Sequence, residues 1–232
     1  MSCNYVSVIP IYSETLDEEK IKALENNIKV MSGNTDIAFV YPEGLNLDFY
    51  KKYSTKFFPF DASFFKSTKT YNYLVLSRGF YETFSSYKMI FIVQLDVWLF
   101  DNQFKEWGES GYDYVGAPWL VPIYVKEVGN ILNGVGNGGF SMRNPRKFIE
   151  VIEDNEDNIK LWLEQGYYED IIISFKLKDK FNIPPSDKAV YFSWETNPGE
   201  AYMLTNGKLP FGWHGYLSYN KGLFKNLANW EN

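Results

Sequence analysis

One cysteine, Cys3, and one histidine, His214, are all that 232 residues contain of either type. A lone cysteine excludes an internal disulfide framework and any all-cysteine metal cluster within one chain, so a reducing, cytoplasmic setting is expected. A basic surplus is also missing. Asp and Glu number 29 against 23 Lys and Arg, for a formal charge of -6, so no global positive field draws the chain to nucleic acid or to an anionic membrane surface. The longest strongly apolar stretch, Met89 to Phe100, is interrupted by Gln94 and Asp96 and falls well short of the ~20 residues a helix needs to cross a bilayer. It reads as a buried strand. The first residues lack the basic start, apolar segment and small-residue cleavage site of an export signal. No repeat, low-complexity linker or break in composition divides the chain, so one unit over residues 1–232 is expected.

Aromatic side chains, by contrast, are abundant: 19 Phe, 18 Tyr and 7 Trp. Most are expected in the core, and surplus Tyr and Trp at a cleft make platforms for sugars and bases. The apolar periodicity predicts a strand over Tyr5–Tyr12 and a helix over Leu16–Met31, with Asp17, Glu18 and Glu19 at its positive end. Strands are predicted at Asp36–Tyr41 and Phe57–Phe60, one long helix over Thr68–Ser85, and the apolar strand Met89–Leu95. This order implies a layered α/β fold with a mostly parallel central sheet flanked by helices. Beyond it, Tyr112–Val115 reads as a short strand, Pro145–Glu153 and Tyr168–Lys176 as helices, and the segment from Ile183 onward as rich in Pro, Gly and aromatics.

Four places stand out chemically. Strand alternation puts Gln94 and Asp96 on one side at the carboxyl end of the most buried strand, where ligands bind in open α/β sheets. An unpaired acid there needs a cation, hydrogen bonds or solvent, unless Asp96 merely caps a loop. Gly134 to Gly139 holds four glycines in six positions, suited to close backbone approach to a ligand or to a tight turn, and matches neither phosphate-binding fingerprint. Glu169 and Asp170 open a helical segment, where the dipole alone accommodates them, or where one acts as a general base. His214 lies in Leu-Pro-Phe-Gly-Trp-His-Gly, as a ligand or as a structural residue.

In combination these segments resemble a known group. Gln-Leu-Asp at 94–96, Tyr-Asp-Tyr-Val-Gly-Ala-Pro-Trp at 112–119, Gly-Asn-Gly-Gly-Phe-Ser-Met-Arg at 136–143, Glu-Asp at 169–170 and Pro-Phe-Gly-Trp-His at 210–214 resemble, in that order, a family of uncharacterised domains grouped with GT-A-fold glycosyltransferases. Tyr71 and Asn72 resemble its helix before the metal strand. The resemblance implies a GT-A-like, Rossmann-like fold. It also implies transfer of a sugar from a nucleotide-diphosphate donor, UDP-sugar by analogy, to an acceptor hydroxyl in polysaccharide or glycoconjugate assembly.

It further implies a divalent cation, manganese or magnesium, held by Asp96 and His214, with Gln94 in the place of the family's first acid. The motif also reads as Asp96-Val97-Trp98, which keeps the first acid and loses the second. On the resemblance, Asp170 is the base of an inverting transfer and Glu169 holds the acceptor, though the two roles can be exchanged. Gly138 and Gly139 floor the sugar pocket, Trp119 and Trp213 stack on donor or acceptor rings, and Pro10, Ile11 and Tyr12 frame the base. The expected partners are therefore a nucleotide-sugar and a glycan acceptor, with no transmembrane segment and with peripheral contact to a lipid-linked acceptor left open. Two other readings stand beside this one: a glycoside hydrolase working through paired carboxylates, and a non-catalytic carbohydrate-binding module built on the aromatics.

Overall fold

The computed structural model describes residues 3–121, 123–125, 129–131 and 134–228; Met1, Ser2 and residues 229–232, at the ends of the expected unit, lie outside them. Strand β1 (Tyr5–Pro10) is buried along its whole length, as a β-branched and aromatic run must be when both faces of a sheet are covered. It sits between β2 (Asp36–Pro42) and β4 (Met89–Val93), parallel to both, and β3 (Lys56–Phe60) adds in parallel outside β2. β7 (Phe140–Arg143) and β6 (Tyr114–Val115) complete the far edge in the antiparallel sense, for a sheet order β3-β2-β1-β4-β7-β6. The architecture is mixed α/β with a mostly parallel sheet.

Helices cover both faces. α1 (Glu18–Met31) starts where the Asp17 carboxylate accepts the Lys20 N–H at 2.8 Å, and it buries Ala23, Leu24, Asn27 and Met31. On the other face α4 (Pro145–Glu164) packs Phe148, Val151 and Ile152 with Phe80, Tyr81 and Leu74 against β1 and β4. Each fully buried ring or branched side chain contributes about 1.5–3 kcal/mol, so the aromatic abundance is first of all core. No helix among the described residues is long and apolar enough to cross a membrane.

Three predicted elements end differently. The helix expected over Thr68–Ser85 is two, α2 (Thr68–Val75) and α3 (Arg78–Thr83), because the Ser77 hydroxyl caps the second by accepting the Phe80 N–H. The apolar run from Met89 stops as a strand at Val93, turns, and resumes as β5 (Val97–Leu99) in a separate small sheet. Helix α4 runs on past Glu153 to Glu164, with a non-helical break at Asn155, and the segment after Tyr168 is a short helix, α5 (Glu169–Ile171), passing into a π turn over Ile172–Lys176.

The small sheet, β8 (Ser193–Trp194), β9 (Gly212–His214) and β5, fixes the geometry that matters below. β9 lies antiparallel to β5 with His214 opposite Val97. Asn27 ties that sheet to α1, donating to Val97 O at 2.7 Å and accepting from the Leu99 N–H at 2.9 Å.

Candidate active site

A cleft of about 460 Å³ opens at the carboxyl ends of β1 and β4. Its walls are Pro10 at the end of β1 and Tyr12 beyond it, Lys20 of α1, Phe65 to Thr68 and Tyr71 in and before the first turn of α2, and Gln94, Leu95 and Asp96 after β4. This is where an open α/β sheet presents its ligands, and the volume is that of a small-molecule site. Five of the expected binding residues, Pro10, Tyr12, Tyr71, Gln94 and Asp96, line it together. Ile11 is fully buried in the core and Asn72 is buried beside the cleft, so neither side chain faces it. Gln94 and Asp96 do share the cleft, but not through strand pleating: the chain turns there, with the Val97 N–H donating to Gln94 O at 3.0 Å.

At the rim of the cleft, Asp96 Oδ1 and His214 Nε2 lie 3.2 Å apart. The pairing of β5 with β9 makes this contact, reinforced by the Gly215 N–H donating to Asp96 O at 2.9 Å. Behind the imidazole, Glu195 Oε1 stands 3.2 Å from Nδ1 and Asn137 Nδ2 3.1 Å from the same atom. Burial opposes a charge on His214, yet the hydrogen bonds and negative charges of Asp96 and Glu195 outweigh it and push its pKa up to about 10. For Asp96 burial acts upward, and the His214 partnership wins, holding the carboxyl below its ordinary value.

Asn137 extends this chain inward. It adopts a left-handed backbone, φ 74°, and its own N–H points at Asp170 Oδ2 at 3.3 Å. A polar path therefore runs from Asp170 through Asn137 to His214 and Asp96. Burial first, then the neighbouring charges of Glu169 and Glu195, raise Asp170 to a pKa of about 7.

Glu169 does something other than reach for an acceptor. It is buried, its Oε1 accepts from Arg143 Nη2 at 2.7 Å, and its Oε2 accepts the Asp170 N–H at 2.8 Å. Arg143 is itself fully buried, donating from Nε to Ser141 Oγ at 3.0 Å and from Nη1 to Tyr81 Oη at 2.9 Å. Both carboxylate oxygens of Glu169 are thus committed, and the residue positions Asp170.

The glycine loop owes its composition to this crowding. A Cβ on Gly138 would meet Glu169 Oε1 at 1.7 Å, and one on Gly139 would meet His214 Nε2 at 2.3 Å. These glycines are needed for the close approach of two functional side chains, a requirement that stands beside the sugar-pocket floor implied by the resemblance. The expected stacking platforms are also buried: Trp213 is fully enclosed among Trp98, Trp194 and Phe224, and Trp119 lies over Gly136 and beside Phe175. Exposed rings are found instead at Tyr12, in the cleft wall, and at Tyr168, immediately before Glu169.

Glu195, Lys20, Asn137 and Arg143 escaped selection from the sequence. Arg143 closing the apolar strand Phe-Ser-Met-Arg was a readable signal, because a buried guanidinium demands a buried acid. Glu195 gave none, since only the pairing of β8 with β9 brings it to the imidazole.

The donor set can be tested against a divalent cation. Two cis ligands of an octahedral ion with bonds of about 2.1 Å lie roughly 3.0 Å apart, and Asp96 Oδ1 and His214 Nε2 are separated by 3.2 Å. Glu195 stands on the other imidazole nitrogen, the place of the partner that orients a ligating histidine. No cluster of three His, Cys, Asp or Glu suited to an ion occurs among the described residues, so the chain offers two ligands and leaves the rest to water and ligand oxygens. The residues fit an ion on one condition: the imidazole must give up the proton it shares with Asp96, so metal binding at this pair would release a proton and weaken as pH falls.

No curated protein matches the chain by sequence. Solved structures do resemble it. The galactosyltransferase LgtC, solved with donor and acceptor sugar analogs, superposes with a TM-score of 0.58 at 14% identity, over 97% of this chain and 95% of its own. Mouse xyloside xylosyltransferase 1 gives 0.58 at 12% identity, over 93% and 98%. The glycosyltransferase GlyE of Streptococcus pneumoniae TIGR4 gives 0.56 at 11% identity, over 93% of this chain, which spans about half of GlyE, 54%. At such identities the likeness establishes the fold, which is that of the GT-A glycosyltransferases. A family profile matches residues 54–214, well over half of the sequence. The chain therefore belongs to the family described as protein of unknown function (DUF5672).

Proposed function

We propose that this protein is a metal-dependent, inverting glycosyltransferase that moves a sugar from a nucleotide-diphosphate donor, a UDP-sugar by preference, to a hydroxyl of a glycan or glycoconjugate. The observation that supports this most is the convergence, at the cleft beyond β1 and β4, of Asp96 and His214 with a polar path to Asp170. A manganese or magnesium ion held by Asp96 and His214 supplies Lewis acidity to the leaving diphosphate when bound. Tyr12 and Pro10 offer a face for the base, and Gln94 an uncharged hydrogen-bonding group for the ribose.

Asp170 takes the acceptor hydroxyl's proton. A carboxylate with a pKa of about 7 is a far better base than one at its ordinary 3.8, and near neutrality it is still substantially ionised. Arg143 and Glu169 hold that carboxylate's backbone in place, and Asn137 links it to the imidazole. A single catalytic unit acting in the cytoplasm, as the one free cysteine favours, completes the reading.

The alternatives are less well supported. A hydrolase needs two working carboxylates, and Glu169 is committed to Arg143. A carbohydrate-binding module loses its two tryptophan platforms to the core.

The reading is tested by a thermal-shift panel of UDP, GDP, ADP and CDP with and without manganese, followed by release of sugar from the corresponding nucleotide-sugars. Stabilisation by at least one diphosphate, and turnover abolished by chelation and in D96A, are expected. Binding of free sugars with indifference to every diphosphate would favour the module, and cleavage of an aryl glycoside without metal would favour the hydrolase.

A further inference from the structure

We propose that Lys20 and Lys66 form a clamp for the donor's diphosphate that works without the cation, so that nucleotide binding and metal binding are separable in this protein. The inference rests on the transferase reading above and adds to it the groups that hold the phosphates.

The charges on the cleft wall carry it. The charged side chains that line the cleft are Lys20, Lys66 and Asp96, two cations against one anion, in a chain whose formal charge is -6. Gln94 sharpens the balance: at this place a second carboxylate would make the wall neutral, and the amide leaves it positive. A diphosphate brings at least two negative charges, and Asp96 alone repels them. In a concave site with low-dielectric walls, two ammonium groups contributed by separate elements focus an attractive field on such an anion.

Both lysines are available. Lys66 is exposed and forms no ion pair among the described residues. Lys20 rests on Asp17 at 2.7 Å, an exposed pair of small net worth that a more highly charged anion can outcompete. Helix α1 keeps its cap in that event, because Asp17 accepts the Lys20 backbone N–H through its other oxygen. Ser67 and Thr68, the cap and first residue of α2, line the same wall and add the positive end of that helix. Finally, Tyr71 lines the cleft with its Oη buried within reach of the Gln94 side chain, so that a phenol and an amide, both uncharged, share the wall with the two lysines.

Isothermal titration of UDP, GDP, ADP and CDP, and of their nucleosides, into the full chain in EDTA tests the clamp. The variants are K20Q, K66Q and the double variant, with K66R as the charge-preserving control. The wild type is expected to bind a diphosphate in EDTA and to bind its nucleoside much more weakly. Each Lys→Gln change should weaken the diphosphate about fivefold and the pair about twentyfold, leaving the nucleoside unchanged, with K66R close to wild type. The dependence of affinity on salt should flatten in the double variant.

Diphosphate binding that is unchanged in the double variant, or that appears only with manganese, overturns the clamp and leaves the transferase reading standing. Failure of the wild type to bind any diphosphate even with manganese overturns that reading and the clamp together. Both lysines lie at the surface, and a melting temperature matching wild type verifies that the variants are folded.

Discussion

The carboxylate of Asp96 and the imidazole of His214 meet with 3.2 Å between Oδ1 and Nε2, brought together by the antiparallel pairing of β5 and β9 rather than by either segment alone. The cation site proposed at the rim of the cleft depends on that contact being rigid. The rigidity has a visible source in Asn27, which bonds both ends of β5, and in the buried cluster of Trp98, Trp194 and Trp213 beneath.

The pH dependence follows from Asp170. As a base it works only when ionised, so kcat/KM should rise with pH through about 7 and level off above it. D170N should lose about 10²–10⁴-fold in rate and with it the rising limb. Stability moves the other way. The folded chain keeps this proton up to about 7 while the unfolded chain releases it near 3.8, so the stability contributed by this group falls as pH climbs between those values. D170N should therefore be more resistant to urea than wild type above pH 7, with the difference vanishing below about pH 4.

Glycine at 139 is a steric requirement. In G139A the new methyl would stand 2.3 Å from His214 Nε2, so the imidazole or the loop must shift and the contact with Asp96 is disturbed. We expect a fold that survives at a cost of about 1–3 kcal/mol and a loss of manganese-dependent turnover out of proportion to it. Chemical denaturation and steady-state kinetics on one preparation separate the two effects.

Arg143 and Glu169 form a buried pair whose members need each other. Removing one leaves an uncompensated charge, so R143M and E169Q should each lower unfolding free energy by about 3–5 kcal/mol in urea titrations. The double variant R143M/E169Q should be less destabilised than the sum of the two, which a double-mutant cycle measures directly.

The central layers were legible in the sequence because local pattern and tertiary burial agree there: the runs at Tyr5, Asp36 and Met89 are apolar, short and bounded by turn residues, and each is a strand, the first and third buried throughout and the second at its centre. Where a single side chain decides, the pattern misled. Ser77 sits on the apolar side of a continuous helical stripe, and only its hydroxyl, bonded to Phe80 N–H, reveals that one helix ends and another begins. At the site, Asp96, His214 and Asp170 each had an ordinary structural explanation in the sequence; the ordered motifs of the family resemblance singled them out, and the fold joins them in one polar path. Tryptophan was ambiguous: at 119 and 213 the same ring serves equally as sugar platform or core, and burial chose core. Glu195 was invisible, since its role exists only across a strand pairing formed far along the chain.

The most direct test of the account is manganese binding in the presence of saturating nucleotide diphosphate, followed by the electron paramagnetic resonance signal of free Mn²⁺, for wild type, D96N and H214Q. The account predicts that wild type sequesters the ion and that both variants, with unchanged circular dichroism, bind it at least about tenfold more weakly. Wild-type manganese affinity in both variants would contradict it.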